Sequence, residues 1–311
     1  MRAALLLFAL SSLPLSSLHA SSYFVTIAGL GGTPEYETQF KQWAADTDRA
    51  LRANGPDCHV ETLSGATATK QGIRELLTRV AGTVKPDDAF ALLLIGHGTY
   101  DGTDYKFNVP GPDITAAELA ALLDRIPAER QLVVNMTSAS GASLPALAKK
   151  DRVVITATKS GTEKNATVFA RYWIEALQNS AADTDKNGTV SALEAFRYAQ
   201  AKTAAYFQGE KLMATEHPML DDTGSKEGVR DPSPSNQQGL RAAAFAVIKP
   251  PAQTAVVADP RKQKLLAKKE QLESAIDRLK YEKAAMPSDD YKKQLSDLLL
   301  ELARTQAEID Q

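Results

Sequence analysis

Five short apolar runs, each followed by a helical pattern, constrain this chain more than any other feature. YFVTIAGL (23–30) precedes a helical pattern at 35–53, HVETL (59–63) one at 69–82, and AFALLLIG (89–96) one at 115–125. QLVVNM (131–136) precedes a short helix at 142–149, and RVVITAT (152–158) one at 165–179. ALLLI and VVIT are apolar at consecutive positions, as strands buried on both faces require. The expected fold is therefore α/β, a mostly parallel sheet covered by helices on both faces. LRAAAFAVI (240–248) is expected to return as an edge strand after a polar, irregular region around 209–238.

The sequence flanking this repeat divides into an export leader, a linker and an arm. MRAALLLFALSSLPLSSLHA (1–20) has one arginine, a short apolar run broken by serines, and a small residue at Ala20, the pattern of a secretory signal cut after Ala20. Leu18 departs from the small residue usual three positions before such a cut. The mature chain, beginning near Ser21, carries no expected transmembrane anchor and belongs in the periplasm or outside the cell. KPPAQTAVVADP (249–260) reads as a linker closing the domain at 21–248, with prolines near both ends. Residues 261–311 are a charged helical pattern broken at AAMPSDD (284–290), so a helical hairpin is expected. Leu265, Leu272, Ile276 and Leu279 mark the apolar seam of its first arm, and Leu295, Leu298, Leu302 and Ile309 that of its second. Two readings stand: a spacer packed on itself, or a coiled-coil arm for docking or self-association.

Charge and cysteine usage narrow the function. A net charge of −2 supplies no basic field for nucleic acid, which is not an expected partner. The single cysteine, Cys58, excludes an intramolecular disulfide despite the export leader. It reads as a small apolar residue at a strand start, or as a reactive thiol.

Ligands of an open parallel sheet bind outside the carboxyl ends of its strands. Those ends here are GLGGT (29–33), GHGTYDG (96–102), NMTSASG (135–141) and TKSGTE (158–163). The first lacks the last glycine of a dinucleotide fingerprint and has no ribose acid, so it reads as a turn, with a nucleotide site as the alternative. His97 sits between two glycines on a tight loop, beside a second loop rich in hydroxyls.

LLLIGHG, followed by KFNVPGPDI (106–114) and AAELAALLDRIP, then a hydrophobic strand ending in Ser138-Ala139-Ser140-Gly141, resembles the legumain side of the caspase-like cysteine peptidases. The resemblance covers roughly residues 23–248. In that family the second strand ends in Cys-x-Ser-Gly, and the histidine and cysteine form the catalytic dyad. The resemblance thus implies dyad positions at His97 and Ser138, with a hydroxyl where the thiol belongs. It also implies a substrate pocket involving Gly98, Gly141 and Glu163; Glu163 alternatively reads as a first-turn carboxylate at a helix amino terminus. Serine needs a base within hydrogen-bond reach to lose its proton during attack, whereas a cysteine is partly thiolate near neutral pH. Cys58 cannot substitute, since it starts its strand, ~17 Å from the carboxyl ends at roughly 3.3 Å per residue.

A separate motif spans 183–194, DTDKNGTVSALE. It places Asp183, Asp185, Asn187, Thr189, Ser191 and Glu194 at positions 1, 3, 5, 7, 9 and 12 of an EF-hand loop, with Gly188 at the turn. A structural Ca2+ is the expected cofactor; an acidic surface turn is the alternative. Three functions remain in view: a pseudopeptidase that binds polypeptide in the crevice, a hydrolase using Ser138 and His97, and an envelope scaffold acting through 261–311.

Overall fold

The computed structural model describes residues 20–249 and 259–310. Residues 1–19 of the leader expected at 1–20, and 250–258 of the linker expected at 249–260, lie outside these residues. The first half of the chain reads β1 (Ser22–Ala28), α1 (Pro34–Arg52), β2 (Cys58–Leu63), α2 (Lys70–Ala81), β3 (Ala89–Ile95), β4 (Gly98–Tyr100), β5 (Tyr105–Phe107), β6 (Ile114–Thr115), α3 (Ala116–Leu123) and β7 (Arg130–Asn135). There follow α4 (Leu144–Leu147), β8 (Arg152–Thr156), α5 (Phe169–Gln178), β9 (Val190–Ser191), α6 (Ala192–Gly209), β10 (Met219–Asp221), α7 (Leu240–Ala244) and β11 (Ala246–Ile248). The arm is α8 (Pro260–Glu282) and α9 (Ser288–Ile309).

Six strands form one sheet in the order β10-β8-β7-β3-β1-β2, parallel except for β10. Alternation along the strands feeds two cores. Phe24, Leu93, Val134 and Ile155 pack on one face with Phe40 of α1, Trp173 of α5 and Phe196 of α6. Val25, Leu92, Val133 and Val154 pack on the other with Leu77 of α2, Leu119 of α3 and Leu147 of α4. All seven residues of β3 are buried, which explains why its sequence is apolar without alternation. The expected mostly parallel sheet with helices on both faces is therefore the architecture of the molecule.

The chain runs outward from β1 to β2, then returns to place β3 on the other side of β1. This reversal falls between the loops after β1 and β3, the place where such sheets receive ligands. His97 lies in the second of those loops. The loop continues into a three-stranded antiparallel sheet, β4-β5-β6, that the sequence pattern does not announce.

Three expectations need correction. The stretch 240–248 is not an edge strand of the main sheet: its Arg-Ala-Ala-Ala start forms α7, and only β11 remains extended, paired with β9. Alanine favours the helix, and Asp222 accepts bonds from the backbone N–H groups of Gly239, Arg241 and Ala242 at its start. The edge is instead β10, three residues inside the region expected to be irregular. The helix expected at 142–149 is a 3-10 turn at Ser140–Ser143 followed by the single turn α4.

In the arm, α8 packs along α9 and against α7, burying Leu272, Ile276 and Leu279. The Tyr281 hydroxyl donates to the carbonyl of Gln238, and Lys268 pairs with Glu301 across the hairpin at 2.9 Å. Among the described residues no helix is long and apolar enough to cross a membrane.

Leu93→Ala removes a side chain that is 0% exposed at the centre of the sheet. We expect it to lower unfolding free energy by about 3 kcal/mol in urea titration, whereas Leu300→Ala, at 55% exposure, shifts it by less than about 0.5 kcal/mol.

Candidate functional site

The loops after β1, β3, β7 and β8 converge at the carboxyl end of the sheet, and glycines let them touch. A Cβ on Gly98 would lie 2.5 Å from the Ser138 carbonyl oxygen, and one on Gly141 would lie 2.3 Å from the backbone of Lys159 and Ser160. Neither position admits a side chain without moving backbone. Gly98 and Gly141 thus set the spacing of the loops.

Ser138 and His97 occupy neighbouring loops but make different bonds. The Ser138 hydroxyl accepts from the Gly98 N–H and donates to the Gly98 carbonyl, each at 3.1 Å, and the residue is 2% exposed. Both of its roles are filled by backbone. The His97 ring packs edge-on to Tyr36 and Phe40 of α1, with centroids 4.8 and 5.1 Å away. Burial pushes its imidazole below the usual histidine range, opposed by a hydrogen bond to the Gly31 backbone. Asp101 does not orient it: its carboxylate accepts from the N–H groups of Thr103 and Asp104 and pairs with Lys106.

Beneath the Ser138 loop lies a buried polar network. The Tyr105 hydroxyl meets Thr137 Oγ1 at 2.6 Å and donates to Asn135 Oδ1 at 3.3 Å. Asn135 Nδ2 donates to Ser143 Oγ, whose own proton goes to the Ser140 carbonyl at 2.6 Å. Ser140 Oγ in turn accepts from Thr158 N–H. The run of small hydroxyl residues therefore acts as a set of ties between loops. Within it Ala139 holds a left-handed φ of 53°, a conformation that a side chain disfavours.

Glu163 is not a first-turn carboxylate, because α5 begins only at Phe169. Its backbone carbonyl accepts from Ala139 N–H at 2.7 Å, fixing it beside the Ser138 loop. Its carboxylate accepts from the N–H groups of Lys159 and His217 and contacts His217 Nδ1. His217 and Glu216 are functional candidates that sequence reasoning missed. Glu216 is 4% exposed and caps α5, accepting from the N–H groups of Val168 and Phe169 at 2.8 and 3.3 Å. Burial pushes its carboxyl up to about 7, against those two bonds and with help from the nearby Glu163 charge.

Cys58 lies at the opposite, amino end of the sheet, where burial raises its thiol and Sγ donates to the Leu51 carbonyl at 3.3 Å.

The 183–194 loop joins α5 to α6. One carboxylate oxygen each from Asp183, Asp185 and Glu194 lies within 4.8 Å of the others. Gly188 turns the chain at φ 84°, where a side chain would be strained. Asp183 accepts from the N–H groups of Asn187 and Gly188, and Asn187 Oδ1 from that of Thr189. Glu194 closes the loop, bonded to Thr184 and Ser191, while the Ser191 hydroxyl caps α6. The donor set, hard oxygens with three carboxylates converging, fits a divalent cation.

The molecule is similar to the Drosophila initiator caspase Dronc, at 11% identity and TM-score 0.45, over 68% of this chain and 82% of that one. It is similar also to caspase-1 from Spodoptera frugiperda, at 12% identity and TM-score 0.46, over 66% and 87%. No protein-family model matches the sequence, and no curated protein matches it.

Glu216 gives a pH prediction. Its folded carboxyl keeps its proton up to about 7 while the unfolded one loses it near 4.5, so its stabilisation is full below about 4.5 and lost as pH rises to about 7. Relative to Glu216→Gln, the native protein should lose about 3 kcal/mol between pH 4.5 and 8, read from urea midpoints.

Proposed function

We propose that this protein is an exported, caspase-like pseudopeptidase that binds polypeptide in the crevice around Gly98, Gly141 and Glu163 without hydrolysing it. The observation that carries this reading is the commitment of the Ser138 hydroxyl to both backbone groups of Gly98. A serine acting as nucleophile must pass its proton to a base. Here its proton is spent on a carbonyl, and the imidazole of His97 is turned among Tyr36, Phe40 and the Gly31 backbone. The exposed Leu30, on the loop after β1, supports apolar contact with a bound chain at the crevice mouth.

Incubation of the mature protein with a diverse peptide mixture, read by mass spectrometry beside Ser138→Ala, tests this. Identical uncut profiles, with the same peptides retained by both proteins, are expected. Cuts made only by the native protein would establish a serine hydrolase instead.

Calcium in the 183–194 loop belongs to the same proposal, held by Asp183, Asp185, Asn187, Ser191, Glu194 and the Thr189 carbonyl. Bound there, the ion would tie the end of α5 to the start of α6. At ~10 mM Ca2+ and a Kd near ~1 mM, the gain is about 1.4 kcal/mol. Calcium should raise the melting temperature of the native protein and leave that of Asp183→Ala, which loses the carboxylate at position 1, unchanged; magnesium at equal concentration controls for ionic strength.

Leu299 and Leu300, 47% and 55% exposed on α9, support a second role for the arm in self-association. Sedimentation of the native protein beside Leu299→Lys, with a concentration-dependent dimer only in the former, tests it.

A further inference from the structure

Asp88 is a buried carboxylate without a cationic side-chain partner. It is 4% exposed, and among the described residues no lysine, arginine or histidine forms an ion pair with it. Its Oδ2 accepts from Lys85 N–H and its Oδ1 from the backbone nitrogen of Ser21, each at 2.8 Å. An ionised carboxylate in such a place is costly unless a cation offsets it.

The contact with Ser21 follows from the register of the sheet. Ser22 stands opposite Ala89 at the start of β1 and β3, and Ala89 N–H donates to the Ser21 carbonyl at 2.9 Å. Ser22 N–H donates to the Asp57 carbonyl on the other side at 3.0 Å. Residue 21 is thus held between two neighbours, with its nitrogen aimed at Asp88. The same nitrogen follows the bond at which the leader pattern ends.

We propose that removal of the leader after Ala20 turns the Ser21 nitrogen into an α-ammonium whose counter-ion is Asp88, an ion pair that the uncut chain cannot form. The inference rests on the export reading above. Hydrolysis of the Ala20–Ser21 peptide bond by an external leader peptidase consumes one water, leaving the carboxylate on Ala20 and the amine on Ser21. The amine is protonated at neutral pH, so a neutral amide donor becomes a charged one beside a buried carboxylate. Maturation then locks the amino edge of the sheet, at the end opposite the crevice.

The titratable neighbour facing this pair is Tyr23 on β1, whose hydroxyl is raised by its burial and by the Asp88 charge; His59 of β2 stacks on its ring. Lys85 and Asp87 flank Asp88 in the same turn, and Arg130 of β7 donates to the Asp87 carbonyl. A free α-amine has a pKa of about 7.7–8.0, and pairing with Asp88 raises it in the folded state. Its stabilisation is therefore full below about 7.7 and lost as pH rises through the raised value.

The test compares a chain beginning at Ser21, released by a protease that leaves no extra residue, with one beginning at Ala20, in which Ser21 keeps its amide. The Ser21 chain should melt higher by about 5 °C at pH 7, with the difference gone above about pH 10 and absent in Asp88→Asn. Equal melting at pH 7, or a difference that survives at high pH, overturns the ion pair without requiring the Asp88 variant to fold. Intact mass of the protein recovered after export tests the underlying reading separately: Ser21 as first residue supports it, and any other start overturns the link to maturation.

Discussion

One hydroxyl holds the crevice together. Ser138 bridges the loop after β7 to the loop after β3 through the N–H and the carbonyl of the same glycine, and only a residue without a side chain allows that approach. The buried network of Tyr105, Asn135, Thr137 and Ser143 stiffens the loop from below. Partly satisfied, such a network would be a liability; joined as it is, it specifies one arrangement of the loops.

On the reading proposed above, that arrangement separates binding from chemistry. On the same reading, the loops at the topological reversal receive an extended chain on a rigid frame of strands. Nucleophilic catalysis needs more: a base that meets the nucleophile and a group that orients the base. His97 faces aromatic rings and the backbone of Gly31, while the acidic residue nearest in sequence, Asp101, closes its own turn. The better-oriented histidine is His217, gripped by Glu163 over the loop that follows β8. Its bond to a carboxylate, together with Glu216 on the amino terminus of α5, ties the segment before β10 to the wall of the crevice.

Much of the fold is legible because a doubly covered parallel sheet leaves a plain mark: AFALLLI is buried at every position. Strands of two or three residues leave no such mark. Met219–Asp221 becomes an edge by pairing antiparallel to β8, and Gly98–Tyr100 joins a small sheet through partners five to nine residues away. Alanines at 242–244 resemble a strand in sequence because the helix cap they rely on, Asp222, lies twenty residues earlier. The same limit hides Glu216 and His217 and the bond that His217 makes to Glu163. Glu163 and His217 are 54 residues apart and meet only because β10 brings the segment before it back beside β8. The hydroxyl loop itself was visible, but its purpose was not, since a string of serines and threonines reads alike whether it binds substrate or backbone.

On the proposed reading the Ser138 hydroxyl is a structural tie between loops and no nucleophile. A fluorophosphonate ester forms a stable adduct with an activated serine and spares one that lacks a base. Exposure of the mature protein to such a probe, followed by intact mass and peptide mapping, tests the claim at the atom concerned. Ser138 should stay unmodified at every pH from about 6 to 9. A single adduct on Ser138 that disappears in His97→Ala would contradict it and restore the catalytic dyad.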